Sequence, residues 1–146
     1  MVNTICTADL EILGACETQV EGFRRTFPDA EAGVEVTVDN VLVAIKAELD
    51  LRWLALATFL TPAHVEYKRV VTAAEEEFLR STTPTREELY RACGLRITWS
   101  DPTPDAARAA HKRALSQGRA TYNRAVATAW VEAYEASAEA AGKGAE

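Results

Sequence analysis

The chain has 146 residues, a net charge of −6, 48% hydrophobic residues and 26% charged residues. That length suits one domain able to bury a core, and the composition excludes long-range disorder. The acidic balance argues against general affinity for nucleic acid or for an anionic membrane surface.

The first expected element begins at Thr7, a candidate N-cap, with Asp9 and Glu11 in the opening turn where carboxylates favour the helix dipole. Ile12, Leu13, Cys16, Val20, Phe23 and Phe27 recur at helical spacing, Gly14 splits or kinks the run, and Pro28 ends it. Residues 35–38 read as a short extended piece. Thr37 or Asp39 caps the next helix, whose apolar face is Val38, Val41, Leu42, Ile45 and Leu49. Asp50 caps a short helix over 51–60 that is hydrophobic nearly all round and so belongs centrally in the core. With these elements, residues 7–60 form an N-terminal module.

Thr61 and Pro62 open a helix expected over 62–80, with Tyr67, Val70, Val71, Ala74 and Phe78 inward. The segment STTPT breaks it. Thr85 and Glu88 match a capping box for a helix over 86–93, closed by Gly94. Leu95 to Trp99 alternates like a strand, and its expected partner is the 35–38 piece. Fifteen of the 27 alanines lie from residue 105 onward, which predicts one long helix over 105–141. Ala107, His111, Leu115, Tyr122, Ala125, Val126, Ala129 and Ala133 form its stripe, widened near the end by Trp130, Val131 and Tyr134. The expected fold is therefore all-α, or mainly α with a minimal two-stranded ribbon, in a single domain over 1–146 with a long C-terminal helix.

Charge on that last helix opposes its dipole. Arg108, Lys112, Arg113, Arg119 and Arg124 come first, and Glu132, Glu135 and Glu139 follow. Two accounts fit: packing beside Glu75, Glu76, Glu77, Glu87 and Glu88, or an external acidic partner.

Catalytic patterns are thin. His64 and His111 lie on different helices, and the sequence shows no CxxC, HxxxH or HExxH pair, so no metal is expected. The serines sit in no nucleophile elbow, and the glycines form no phosphate loop, so no catalytic residue or cofactor is expected. Cys6, Cys16 and Cys93 read as free, buried, structural thiols of a reducing compartment. The N-terminus shows no secretion signal, and the apolar run at 53–60 is far short of a ~20-residue span. The cytoplasm of a bacterial host is the expected location. The candidate partner-binding residues are Trp99, Trp130 and Tyr134, as aromatic anchors, and the acidic run Glu75, Glu76 and Glu77.

The segments ACETQVEGFRRTFP, GVEVTVDNVLVAIKAELDLRWLA and VEYKRVV resemble an N-terminal module of small uncharacterised phage and prophage accessory proteins, with an echo in ATAWVEAYEA. Relatives of that kind repeat the tyrosine-bearing unit, whereas this chain has one copy. The resemblance implies a phage setting and carries no activity. The absence of an active-site pattern, the compact acidic helical body and that setting together lead to an expected role as a non-catalytic binder of a host or phage protein, such as an inhibitor of a bacterial defence system of the anti-CRISPR kind, acting by steric block or acidic mimicry of nucleic acid. The alternatives are a self-associating virion or assembly component, and an enzyme whose site is assembled only in the fold.

Overall fold

The computed structural model describes residues 3–94 and 103–143. In chain order these form β1 (Thr4–Ile5), α1 (Thr7–Ile12), α2 (Glu17–Thr26), β2 (Val34–Glu35), α3 (Val38–Lys46), α4 (Leu51–Thr58), α5 (Thr61–Cys93) and α6 (Pro104–Lys143). The expected fold class is correct: the protein is mainly helical, with a long C-terminal helix and a two-stranded ribbon. No described helix is long and apolar enough to cross a membrane.

The ribbon differs from expectation in its partner. β2 pairs antiparallel with β1, Thr4 opposite Glu35 and Ile5 opposite Val34. The strand expected over 95–99 lies outside the described residues. Two-residue strands carry almost no pattern of their own, so the pairing is set by what pins the ends. The Thr7 N–H donates to the Ala30 carbonyl at 3.0 Å and the Val36 N–H to Asn3 at 2.8 Å. The buried Thr7 hydroxyl donates to Glu31 Oε2 at 2.6 Å. Thr7 is thus the first helical residue, and Cys6 occupies the N-cap position.

Gly14 does split the first apolar run. At φ +84° it follows the end of α1, with the Ala15 N–H reaching Leu10 and the Gly14 N–H reaching Glu11. Those two bonds are the Schellman closure, and a glycine suits its left-handed residue. The end of α3 repeats the motif: the Leu49 N–H bonds Ala44 and the Glu48 N–H bonds Ile45. Here the left-handed residue is Glu48, at φ 59°. The turn after Gly14 also changes the helical phase, which leaves Cys16 exposed as the N-cap of α2 rather than buried. Cys93 is exposed as well, and Cys6 is half-buried; all three thiols are free.

The expected caps Thr37 and Asp50 hold. Thr37 Oγ1 accepts from the Asn40 N–H at 3.2 Å, and Asp50 Oδ1 from the Trp53 N–H at 2.9 Å. α4 buries Leu54 and Ala55 and leaves Trp53 partly covered, while Leu56 is 69% exposed, so this helix lies against the core with one side in solvent.

α5 runs through STTPT without the expected break, so the separate 62–80 and 86–93 helices are one. Pro84 removes one helical N–H, and its ring costs the preceding turn a bond. Neighbouring hydroxyls turn inward onto the same helix instead of capping a new one. Ser81 and Thr82 donate to the Phe78 carbonyl at 2.9 and 2.8 Å, and Thr85 donates to Thr82 at 2.9 Å. Thr85 Oγ1 also shares a hydrogen bond with His111 Nδ1 of α6 at 3.1 Å. Packing on α6 therefore carries the helix across its weakest turn, and Thr85 is a mid-helix residue.

α5 and α6 form an antiparallel hairpin. Its two ends are built differently. At the base, where α5 begins and α6 ends, the core gathers Ile5, Leu10, Val20, Phe23, Phe27, Val41, Leu54, Phe59, Tyr67, Val126 and Trp130. Trp130 is 1% exposed. Its ring packs 5.2 Å from Phe59 and stacks 5.4 Å from Tyr134, and its Nε1 donates to the Leu51 carbonyl at 3.3 Å. The widened apolar surface of α6 is thus wrapped by the N-terminal module. Toward the tip, the buried residues are small: Thr82, Ala92 and Ala107. Gly118 lets the two helices approach, since a methyl group there would lie 3.0 Å from the Phe78 ring.

A candidate protein-binding groove along the hairpin

Side chains from three elements meet where the C-terminus of α3 crosses the hairpin. Ile45, Phe78, Leu79 and Tyr122 line a cleft of about 690 Å³ together with Lys46, Glu48, Glu75, Arg119 and Asn123. Each position has a local cause. Lys46 and Glu48 are placed by the Schellman turn that ends α3. Glu75, Phe78 and Leu79 share one side of α5, and Arg119, Tyr122 and Asn123 one side of α6, because residues three and four apart stack on a helix surface. Leu79 is 54% exposed.

Glu75 is the hinge between this cleft and a second one. Its Oε1 lies 3.2 Å from Arg52 Nη2 of α4 and accepts from the Tyr122 hydroxyl at 3.5 Å. The second cleft, about 280 Å³, continues along the same side of α5 and is lined by Arg52, Leu56, His64, Tyr67, Lys68, Val71, Thr72 and Glu75. His64 Nδ1 is buried there without a hydrogen-bond partner. Burial raises both phenols; the neighbouring phenol of Tyr122 adds to the rise at Tyr67, and the Glu75 carboxylate adds to that at Tyr122. Both therefore stay neutral at ordinary pH and serve as hydrogen-bonding groups. Together the two clefts follow residues 64–79 of α5, roughly 22 Å of helix.

Of the residues expected from the sequence to bind a partner, only Glu75 lines this groove. Glu76 is exposed, and Glu77 pairs with Arg80 one turn on. Trp130 is core and not surface, because the N-terminal module covers its face of α6. Tyr134 is half-buried against it, its hydroxyl donating to the Thr4 carbonyl at 3.4 Å. Trp99 lies outside the described residues. Ile45, Lys46, Phe78, Leu79, Arg119 and Tyr122 were not singled out as site residues, since no local motif joins residues from three separate helices.

The reversed charge order of α6 also has a structural outcome. Among the described residues, ion pairs join Arg24 to Glu11 and Glu31, Arg52 to Glu75, Arg69 to Glu66, Arg80 to Glu77 and Arg108 to Asp105. None joins a cation of α6 to a carboxylate of α5, although Arg119 of α6 and Glu75 of α5 line the same cleft. Among the described residues no group of three or more His, Cys, Asp or Glu side chains is placed to hold a metal ion.

Comparison with known proteins finds no match: no family model, no curated protein and no solved structure is similar to this chain.

Proposed function

We propose that the protein works by binding another protein in the groove along α5, and that its action is occupancy of a surface rather than catalysis. One observation carries this reading: the cleft brings the apolar side chains of Ile45, Phe78, Leu79 and Tyr122 together with the opposite charges of Lys46, Arg119, Glu48 and Glu75. An apolar centre within a polar rim is the usual anatomy of a protein interface. The groove's length along α5 suits a helical or extended segment of a partner. The phage setting, which rests on the sequence resemblance alone, makes a bacterial host protein the natural partner class, and inhibition of a defence system the concrete outcome.

Capture from bacterial lysate on immobilised wild-type protein and on a Leu79→Asp variant of unchanged circular dichroism tests the reading. A partner held by the first and lost by the second is expected. Equal capture on both removes the groove from the function.

Self-association is a second reading, favoured by the other side of the hairpin. There two hollows of about 330 and 240 Å³ have small residues among their lining, Ala74, Ala114, Gly118 and Ala125 in one and Ala63, Ala129, Ala133 and Ala136 in the other. A sedimentation coefficient that rises with concentration would support it, and a constant monomer value would dismiss it.

A further inference from the structure

Charge is divided sharply between the two ends of the hairpin. Residues 80–94 and 103–119 contain seven Lys and Arg against three Asp and Glu, a local surplus of +4; the chain outside 80–119 has eight against eighteen, a deficit of −10. The arm of an acidic protein is therefore basic.

Four of the arm's cations, Arg86, Arg108, Lys112 and Arg119, fall on the groove side. Leu79 lines the cleft on α5, and Arg86 and Tyr90 follow it at spacings of 7 and 11 residues. Arg119 lines the cleft on α6, and Leu115, Lys112 and Arg108 precede it by 4, 7 and 11. Those spacings keep residues on one side of a helix. Interleaved with the cations are Leu79, 54% exposed, Tyr90, 71% exposed, and Leu115, 40% exposed. The carboxylates on this side are few. Glu75 is engaged with Arg52, and Asp105 with Arg108; Glu48 stands at the cleft's edge. Among the described residues, Lys112 and Arg119 have no carboxylate within ion-pair distance.

We infer that the groove continues onto the arm as a basic surface, and that its occupant is an acidic amphipathic segment of a partner protein. The inference rests on the binding reading above and adds the chemistry of the partner. Two features select a protein segment over a nucleic acid. Exposed leucines alternating with cations match a ligand that carries both apolar anchors and carboxylates. A polyanion extending past the arm would meet the −10 remainder of the chain, whereas a short segment ends before it. Four cations on one side raise the encounter rate with such a segment and make its affinity fall with salt.

The test uses the full chain and three labelled probes followed by fluorescence anisotropy. The first is a helical peptide of about 18 residues, roughly 27 Å long, with leucine at every third or fourth position and glutamate between. The second replaces its glutamates by glutamine, and the third is an oligothymidylate. The glutamate peptide is expected to bind about tenfold tighter than the glutamine peptide at low salt, with the difference erased at high salt. Charge reversal at Arg108→Glu, Lys112→Glu and Arg119→Glu should remove that difference. Neutral Arg108→Gln and Lys112→Gln serve where reversal disturbs the helix.

Equal affinity for both peptides, no binding of either, or indifference to the substitutions overturns the inference. Tighter binding of the oligothymidylate, lost in the same variants, overturns it in favour of nucleic acid. The two readings fail separately: Leu79→Asp weakening both peptides alike while charge reversal does nothing leaves the groove and removes the acidic partner.

Discussion

The base and the tip of the hairpin use the same two helices and solve different problems. At the base, α6 presents aromatic and branched side chains, and an entire module of short helices folds over them. Toward the tip, among the described residues, α5 and α6 pack on each other through alanine and threonine, and at Gly118 a methyl group would press on the Phe78 ring at 3.0 Å. Burial of large apolar area at one end and close approach of small residues at the other are unequal sources of stability. The base is therefore the stable body. Toward the tip, many of the described side chains are exposed and charged.

Substitution at Trp130 should break that contrast most severely. Trp130→Ala removes the centre of the base and should cost about 3–5 kcal/mol, against under roughly 1 kcal/mol for Leu115→Ala on the arm. Thermal melts of the two variants measure the gap, and a comparable loss at Leu115 would mean that the tip is as tightly packed as the base. Hydrogen exchange should show the same order, with amides near Trp130 opening only by global unfolding and those near Ala107 opening locally.

Pro84→Ala should narrow the difference. Restoring the missing N–H in mid-helix should stabilise α5 by up to about 3 kcal/mol, read as slower exchange confined to the arm. An unchanged exchange rate would show that the surrounding hydroxyls already offset the proline fully.

The paired turns at the base give a smaller, signed effect. Gly14→Ala should destabilise by about 1 kcal/mol, because a β-carbon is strained in the left-handed conformation, while Glu48→Gly should stabilise by about 0.5–1 kcal/mol for the same reason. Denaturant midpoints of the two variants should move in opposite directions. Movement in the same direction would show that Glu48 holds its position through its side chain.

The smallest effect concerns Glu31. The Thr7 hydroxyl and then Arg24 hold its carboxyl below the ordinary glutamate range. A carboxyl depressed on folding adds stability above its unfolded value, and loses that contribution as pH falls through the lower, folded value. Thr7→Val should raise the titration of Glu31 followed by carbon NMR, with little change in melting temperature at neutral pH because the Arg24 pair is solvent-exposed. A Glu31 titration unmoved by the substitution would assign the depression to Arg24.

Much of this architecture was legible in the residues, and what escaped did so for a common reason. Thr37 and Asp50 cap through bonds made within three residues, so their signals are local and they hold. The proline in STTPT is also a local signal, and it was overridden by a neighbour 26 residues away, His111 against Thr85. Trp130 could be placed on the apolar side of α6, but whether that side met solvent or the N-terminal module depended on the fold. Cys16 followed the wrong phase because Gly14 resets it. Of the groove, only Glu75 was singled out, since its walls come from three helices. One trace of it was readable: cations crowding the first half of α6, against the dipole.

α6 has 40 residues, which at helical rise makes a rod of about 60 Å, whereas a compact chain of this length would have a radius of gyration near 15 Å. The protein should therefore scatter and tumble as an elongated particle. A ligand held between Arg108 and Arg119 would sit roughly 16–33 Å along α6 from Trp130, toward the other end of the rod.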